Sequence, residues 1–132
     1  MDMKKIKDLE EAFELWKTDR EGCFEYLKSE GINYQVFTSY MEARQEDYKT
    51  LDFGWSNTIW EKDYEPILEN LTRFGISTFT MSQTASGTIA DCYWFVEHGY
   101  KIAGMTVLEY GHKWGDKKET KPAFVFKKGG RK

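Results

Sequence analysis

Residues 75–87, Gly-Ile-Ser-Thr-Phe-Thr-Met-Ser-Gln-Thr-Ala-Ser-Gly, constrain the fold more than any other run. Gly75 stops a helix, because a glycine reaches the left-handed conformation at a helix end without a Cβ penalty. Ile76 to Met81 mixes β-branched and aromatic residues and reads as a short buried strand. Ser82, Thr84, Ser86, Gly87 and Thr88 then make a small hydroxyl-rich loop that opens a helix from about Ala85 to His98. Gly99 ends that helix, and Tyr100 to Tyr110 is the longest strand candidate. Strand, helix and strand in this order predict a right-handed parallel crossover.

The rest of the chain supplies layers around that unit. Ile6, Leu9, Phe13 and Trp16 recur at helical spacing among charged residues. Thr18-Asp19 offers caps for a second helix over 20–30, with Cys23, Phe24 and Leu27 inward and Gly31 as its stop. Ile32 to Glu46 fits two patterns: Val36, Phe37, Tyr40 and Ala43 suit a helix, while Asn33 to Ser39 alternates like a strand. Leu51-Asp-Phe53 reads as a short edge strand. A further helix begins at Asp63 as cap with Pro66 in its permissive first turn, and Tyr64, Ile67, Leu68, Leu71 and Phe74 form its apolar stripe. In the 85–98 helix, Ile89, Cys92, Tyr93 and Val96 are expected inside. Pro122 to Lys128 returns antiparallel, with Phe124 and Phe126 on one face. The expectation is one α+β domain over 1–132: a small mixed sheet (strands near 76–81, 100–110, 122–128 and 51–53) covered by helices. It has a helical N-terminal part and a frayed basic tail near 128–132.

A chain of 132 residues can bury one core without staples. Aromatic residues make up 17 % of it, enough to fill a core with rings and to leave some for a contact surface. The net charge of −3 hides a segregation: residues 1–112 carry 11 Lys and Arg against 20 Asp and Glu, and residues 113–132 carry 8 against 2. An acidic body argues against a broadly basic nucleic-acid-binding protein. Cys23 and Cys92 lie among aromatic residues far apart in the chain, which points to buried free thiols. The charged amphipathic N-terminus is unlike a signal peptide, and no apolar run approaches the roughly 18 residues of a membrane span. A cytoplasmic protein is expected.

Catalytic chemistry finds little support. The 82–88 loop is neither a Walker loop nor a GxGxxG, since Gly87 stands alone with no Lys after it. Its plain role is to cap the following helix; its functional role is to hold a phosphate or carboxylate on unpaired helix N–H groups. His98 suits a helix end, and with His112 and two cysteines offers no metal-ligand spacing, so neither metal nor cofactor is expected. Glu21 and Glu25 disfavour a Cys23 thiolate, and an apolar helix face disfavours that of Cys92. Acidic pairs such as Glu10-Glu11 and Glu61/Asp63/Glu65 read as solvated helix faces or as favourable charges near a helix start. Two surfaces remain. Lys113, Trp114, Lys117 and Lys118 combine phosphate neutralisation with a stacking ring, against the plainer reading of a polar hairpin tip. Trp55 and Trp60, in the irregular run Asp52-Phe-Gly-Trp-Ser-Asn-Thr-Ile-Trp60, either cover the sheet or form a recognition patch.

Ile59-Trp60-Glu-Lys-Asp63, Gly75-Ile-Ser-Thr-Phe-Thr-Met-Ser82, Ser86-Gly87, Phe95-Val-Glu-His-Gly99 and Gly104-Met105 together resemble a family of small uncharacterised proteins. These are carried by mobile genetic elements and accessory gene clusters of gut-associated Gram-positive bacteria. The resemblance spans roughly 22–126 and brings no activity, so it transfers no functional residue. It implies a context in which accessory proteins bind host or element macromolecules, defence nucleases among them. The expectation is a non-enzymatic binding protein with a protein or nucleoprotein partner. The alternatives are a small anion at the 82–88 loop and nucleic acid at the basic connection.

Overall fold

The computed structural model describes residues 6–111 and 119–129. His112, Lys113, Trp114, Lys117, Lys118 and the end of the basic tail lie outside the described residues. Among those described are five α-helices, α1 (Lys7–Thr18), α2 (Arg20–Glu30), α3 (Tyr34–Glu46), α4 (Tyr64–Arg73) and α5 (Thr88–Glu97). Four strands accompany them, β1 (Leu51–Phe53), β2 (Thr78–Met81), β3 (Tyr100–Tyr110) and β4 (Glu119–Lys128).

Asp19 joins the first two helices. Its backbone N–H closes α1 on the Leu15 carbonyl, and its carboxylate accepts from the Gly22 N–H at 3.0 Å to cap α2. A Cβ on Gly22 would fall 2.3 Å from Asp19 Oδ2, so this cap demands glycine there. The helical pattern prevails over the strand pattern in 32–46, because the Asn33 side chain accepts from the Val36 N–H and Val36, Phe37, Tyr40 and Ala43 are all buried. Glu10 of α1 crosses to α3, taking the Tyr40 hydroxyl and the Arg44 guanidinium (2.9 and 3.1 Å). Glu10 is therefore an interhelical clamp and not a solvated face. Asp63 departs from expectation too. It occupies the N-cap position of α4 without a side-chain cap bond, and is buried with Oδ1 accepting from Asn33 Nδ2.

The sheet order is β1-β2-β4-β3, with β1 parallel to β2 and β4 antiparallel to both of its neighbours. β2 and β3 thus run in the same direction through the α5 crossover, but β4 lies between them. On one sheet face Phe79 stacks on Phe126 at 4.9 Å and meets Phe53, Phe95 and Tyr100 edge-on at 5.1–5.5 Å. Burying each such side chain contributes about 1.5–3 kcal/mol.

Two helix faces differ from the sequence reading. In α5 the buried residues are Asp91, Cys92 and Phe95, while Ile89 and Tyr93 are 84 % and 67 % exposed. This helix is apolar nearly all round, so its stripe does not choose a face; the fit of Phe95 among Phe79, Tyr100 and Phe126 does. In α2, Phe24 is exposed instead of inward, leaning edge-on against Trp16. Both cysteines are buried and free, and burial pushes the Cys92 thiol up to about 11. The Cys23 thiol is also raised, by burial and by Asp19, not by the two glutamates suspected from sequence.

Candidate functional site

The 82–88 loop is fastened from beneath. Ser82 and Gln83 both donate their backbone N–H to the Phe53 carbonyl, at 2.9 and 3.1 Å, so the loop continues the β1–β2 pairing past the last strand residue. The Ser82 hydroxyl donates to Asp52 Oδ2 at 2.7 Å. Gln83 is buried and acts as a three-way tie. Its Oε1 accepts from the Ile59 N–H, and its Nε2 donates to Thr88 Oγ1 (3.2 Å) and Asp91 Oδ2 (2.6 Å). The Tyr64 hydroxyl completes this chain on Asp91 Oδ1 at 2.6 Å. Burial raises the Asp91 carboxyl above its ordinary value, although both of those donors pull it down.

The capping role expected of the hydroxyls is therefore not the one they take. Gly87 is the N-cap of α5 and no side chain bonds its N-terminus. Ser82 and Thr88 bond inward, while Thr84 and Ser86 stand exposed. Asp91 in the first turn also brings a carboxylate close to the helix end where a bound anion would sit.

Asp52 shows how the other sheet face is organised. It alternates with Leu51 and Phe53, so it points away from the aromatic core, yet it is fully buried. Its carboxylate takes Thr80 Oγ1 and Ser82 Oγ, each at 2.7 Å, and Lys121 Nζ at 3.1 Å; Lys121 reaches on to Glu42 Oε2 at 3.2 Å. Burial pulls the Lys121 ammonium down, but Asp52 and Glu42 more than offset it and hold it above the usual lysine value. A lysine kept charged in this way is a clamp and not a nucleophile. Gly54 closes the cluster, since a Cβ there would lie 2.9 Å from Ser82 Oγ and 3.1 Å from both Asp52 Oδ2 and Lys121 Nζ.

The same scaffold presents the tryptophans. Asn57 donates to Ser39 Oγ (2.9 Å) and to the Asp52 carbonyl (3.2 Å), while its own side-chain oxygen receives the Gly54 N–H. Thr58 Oγ1 donates back to the Gly54 and Trp55 carbonyls. Ile59 takes the inward position and is buried, with its N–H on Gln83. With Asn57, Ile59 and Phe53 already inside, the indoles do not cover the sheet: Trp55 is 84 % exposed and Trp60 58 %. They share a groove of about 340 Å³ with Tyr34, Gln35, Thr38 and Ala85. Tyr34 is itself exposed and lies beside Phe24 (6.1 Å between rings), which extends the aromatic surface onto α2.

This face unites the Trp55–Trp60 run with Ala85 of the 82–88 loop, two segments that sequence reading kept apart. Tyr34 was not singled out, because the reading of 32–46 rested on Val36, Phe37, Tyr40 and Ala43. A wider groove of about 790 Å³ runs along the opposite sheet face over Thr78, Thr80, Thr106 and Val125.

A family model matches residues 35–128, more than half of the chain. The chain belongs to the family described as a domain of unknown function, DUF7698. The matched span holds the whole sheet, α4, α5, the Asp52 and Gln83 networks and both exposed tryptophans; α1 and α2 precede it. No curated protein and no solved structure matches. Among the described residues, no helix is long and apolar enough to cross a membrane.

Proposed function

We propose that the chain is a non-enzymatic binding protein that engages a protein partner through the Trp55–Trp60–Tyr34 face. The carrying observation is the exposure of Trp55 and Trp60, 84 % and 58 %, on a backbone fastened by Asn57, Thr58 and Gln83. Large exposed rings lose solvation advantage in a monomer, whereas Trp and Tyr anchors dominate binding energy in interfaces. Holding them on a hydrogen-bonded turn lowers the ordering cost of association. The acidic balance of residues 1–112 favours a basic partner surface over nucleic acid. Combined with the resemblance to accessory proteins of mobile elements, this extends the proposal to partners with a basic nucleic-acid groove, a defence nuclease being the boldest case.

The test is affinity capture from a bacterial lysate treated with nuclease, using the native chain and a Trp55→Ala/Trp60→Ala variant in parallel. A specific protein retained by the native chain and lost by the variant supports the reading. Capture that needs intact nucleic acid would transfer the activity to Lys113, Trp114, Lys117 and Lys118. Equal capture by both chains would remove the tryptophan face from the account.

A further inference from the structure

The groove between Trp55, Trp60 and Tyr34 is electrically one-sided. Among the described residues no charged side chain lines it; its walls are the three rings, uncharged polar side chains and Ala85. Those polar side chains have largely spent their protons. Thr38 donates its hydroxyl to the Gln35 carbonyl at 3.2 Å, and Thr58 donates to the Gly54 and Trp55 carbonyls at 3.0 and 3.1 Å. A hydroxyl carries one proton, so each of these oxygens has only acceptor sites left to offer. Asn57 is engaged through both its amide nitrogen and its oxygen. The rings add to this bias, since an aromatic face is negative. A carboxylate also stands behind one end of the groove. Asp63 donates its backbone N–H to the Trp60 carbonyl at 2.8 Å, and its Oδ1 accepts at 3.4 Å from Nδ2 of Asn33, the residue before Tyr34. This pair ties the backbone of Trp60 to that of Tyr34. The other oxygen, Asp63 Oδ2, is buried and takes no hydrogen bond, so its field is poorly screened. Glu61 and Glu65 stand beside it against Lys62 alone.

Elsewhere the chain answers such rings with its own cations: Arg20 lies over Trp16 at 4.1 Å and Arg73 over Phe74 at 4.8 Å. Among the described residues no Lys or Arg of the chain stands over Trp55, Trp60 or Tyr34. We propose that this groove receives the guanidinium of an arginine carried on the basic surface of the partner. The inference rests on the tryptophan face being the site of a protein partner, and it names the group that face grips. A guanidinium is planar and weakly hydrated, so it stacks on a ring face while its in-plane N–H groups reach the Thr38 and Thr58 oxygens. An ammonium has no plane to stack and holds its water more tightly. A carboxylate would meet negative ring faces, acceptor oxygens and the field of Asp63. The volume of about 340 Å³ suits the insertion of one long side chain, being at the small end of the roughly 300–1,000 Å³ of ligand sites.

The test follows the indole N–H resonances of the native chain, assigned with Trp55→Phe and Trp60→Phe, during titration with N-acetyl-arginine methylamide. The citrulline, lysine and glutamate counterparts are titrated in parallel, citrulline having the shape of arginine without its charge. Both indole signals are expected to shift saturably with the arginine probe, at least about threefold more tightly than with citrulline. Lysine is expected to fall below arginine, and glutamate to leave the signals in place. Tyr34→Leu keeps an apolar wall and removes a ring face, so it should weaken the arginine probe and leave the citrulline probe unchanged. Asp63→Asn keeps an oxygen for Asn33 and removes the charge, so it should narrow the gap between arginine and citrulline. Equal affinity for arginine and citrulline overturns the proposal, as does a lysine or glutamate probe that binds more tightly, or the lack of any saturable shift with arginine. If partner capture still depends on Trp55 and Trp60 in that case, the protein-binding reading stands and only the arginine is refuted. Arginine preference together with capture indifferent to both tryptophans would refute the protein-binding reading, and the partner's arginine with it.

Discussion

Replacing Asp52 with alanine tests the physical account most severely inside the molecule. The carboxylate is fully buried and accepts three charge-assisted bonds, from Thr80, Ser82 and Lys121. Bonds to a charged group are each worth about 1.5–3 kcal/mol, but two donors keep a second acceptor. Thr80 retains the Leu51 carbonyl at 3.3 Å, and Lys121 retains Glu42 at 3.2 Å. The net loss is then roughly 3 kcal/mol, far below the sum of the three. For a domain of this size that is a fall in Tm of about 10 °C. Asp52→Asn keeps the volume and one acceptor and should lose less. Lys121→Met should cost about 3–5 kcal/mol, because it leaves the Asp52 and Glu42 carboxylates buried without their shared cation. Urea denaturation with a constant m-value measures all three. If Asp52→Ala and Lys121→Met each cost under about 1 kcal/mol, the cluster is solvated and the reasoning fails.

Glu10→Gln should destabilise in a pH-dependent way. The Arg44 bond holds the folded Glu10 carboxyl below its ordinary value of 4.5, so its stabilisation is complete above that value and disappears as pH falls through the lowered one. The gap between native and variant chains should be widest near neutrality and close in acid; a gap independent of pH would refute the clamp. Cys92, raised to about 11, and Cys23 should both resist a thiol-specific disulfide reagent at pH 8 and react together on unfolding. Fast labelling of either in the native protein would contradict their burial. Trp55→Ala should change stability by no more than about 0.5 kcal/mol, as befits an exposed side chain. A large loss would mean that the indole packs against the body.

Much of the frame was legible in the chain because punctuation and periodicity agreed. Gly31 and Gly75 take positive φ at helix ends, and the 100–110 strand was bounded correctly by the glycines on either side. What sequence did not show is set by partners remote in the chain. The direction of α5 depends on where Phe95 meets Phe79 and Phe126, 16 and 31 positions away. Asp52 and Lys121 are unremarkable until β1 and β4 place them on one sheet face. Gln83, lying among hydroxyl residues, carried no pattern at all, yet it ties the loop to Ile59 and α5. The tryptophans were recognised as surface candidates, but the decision to expose them is taken by Ile59, which occupies the inward position between them.

The central claim is that the exposed tryptophan face binds a protein, and its most direct measurement is a binding isotherm. Using the partner recovered after nuclease treatment, the native chain and Trp55→Ala/Trp60→Ala would be titrated side by side. The account predicts at least a hundredfold weaker affinity for the variant, a loss of about 2.7 kcal/mol or more, as expected for two central aromatic anchors. Equal affinity for the two chains, with both folded, would contradict it.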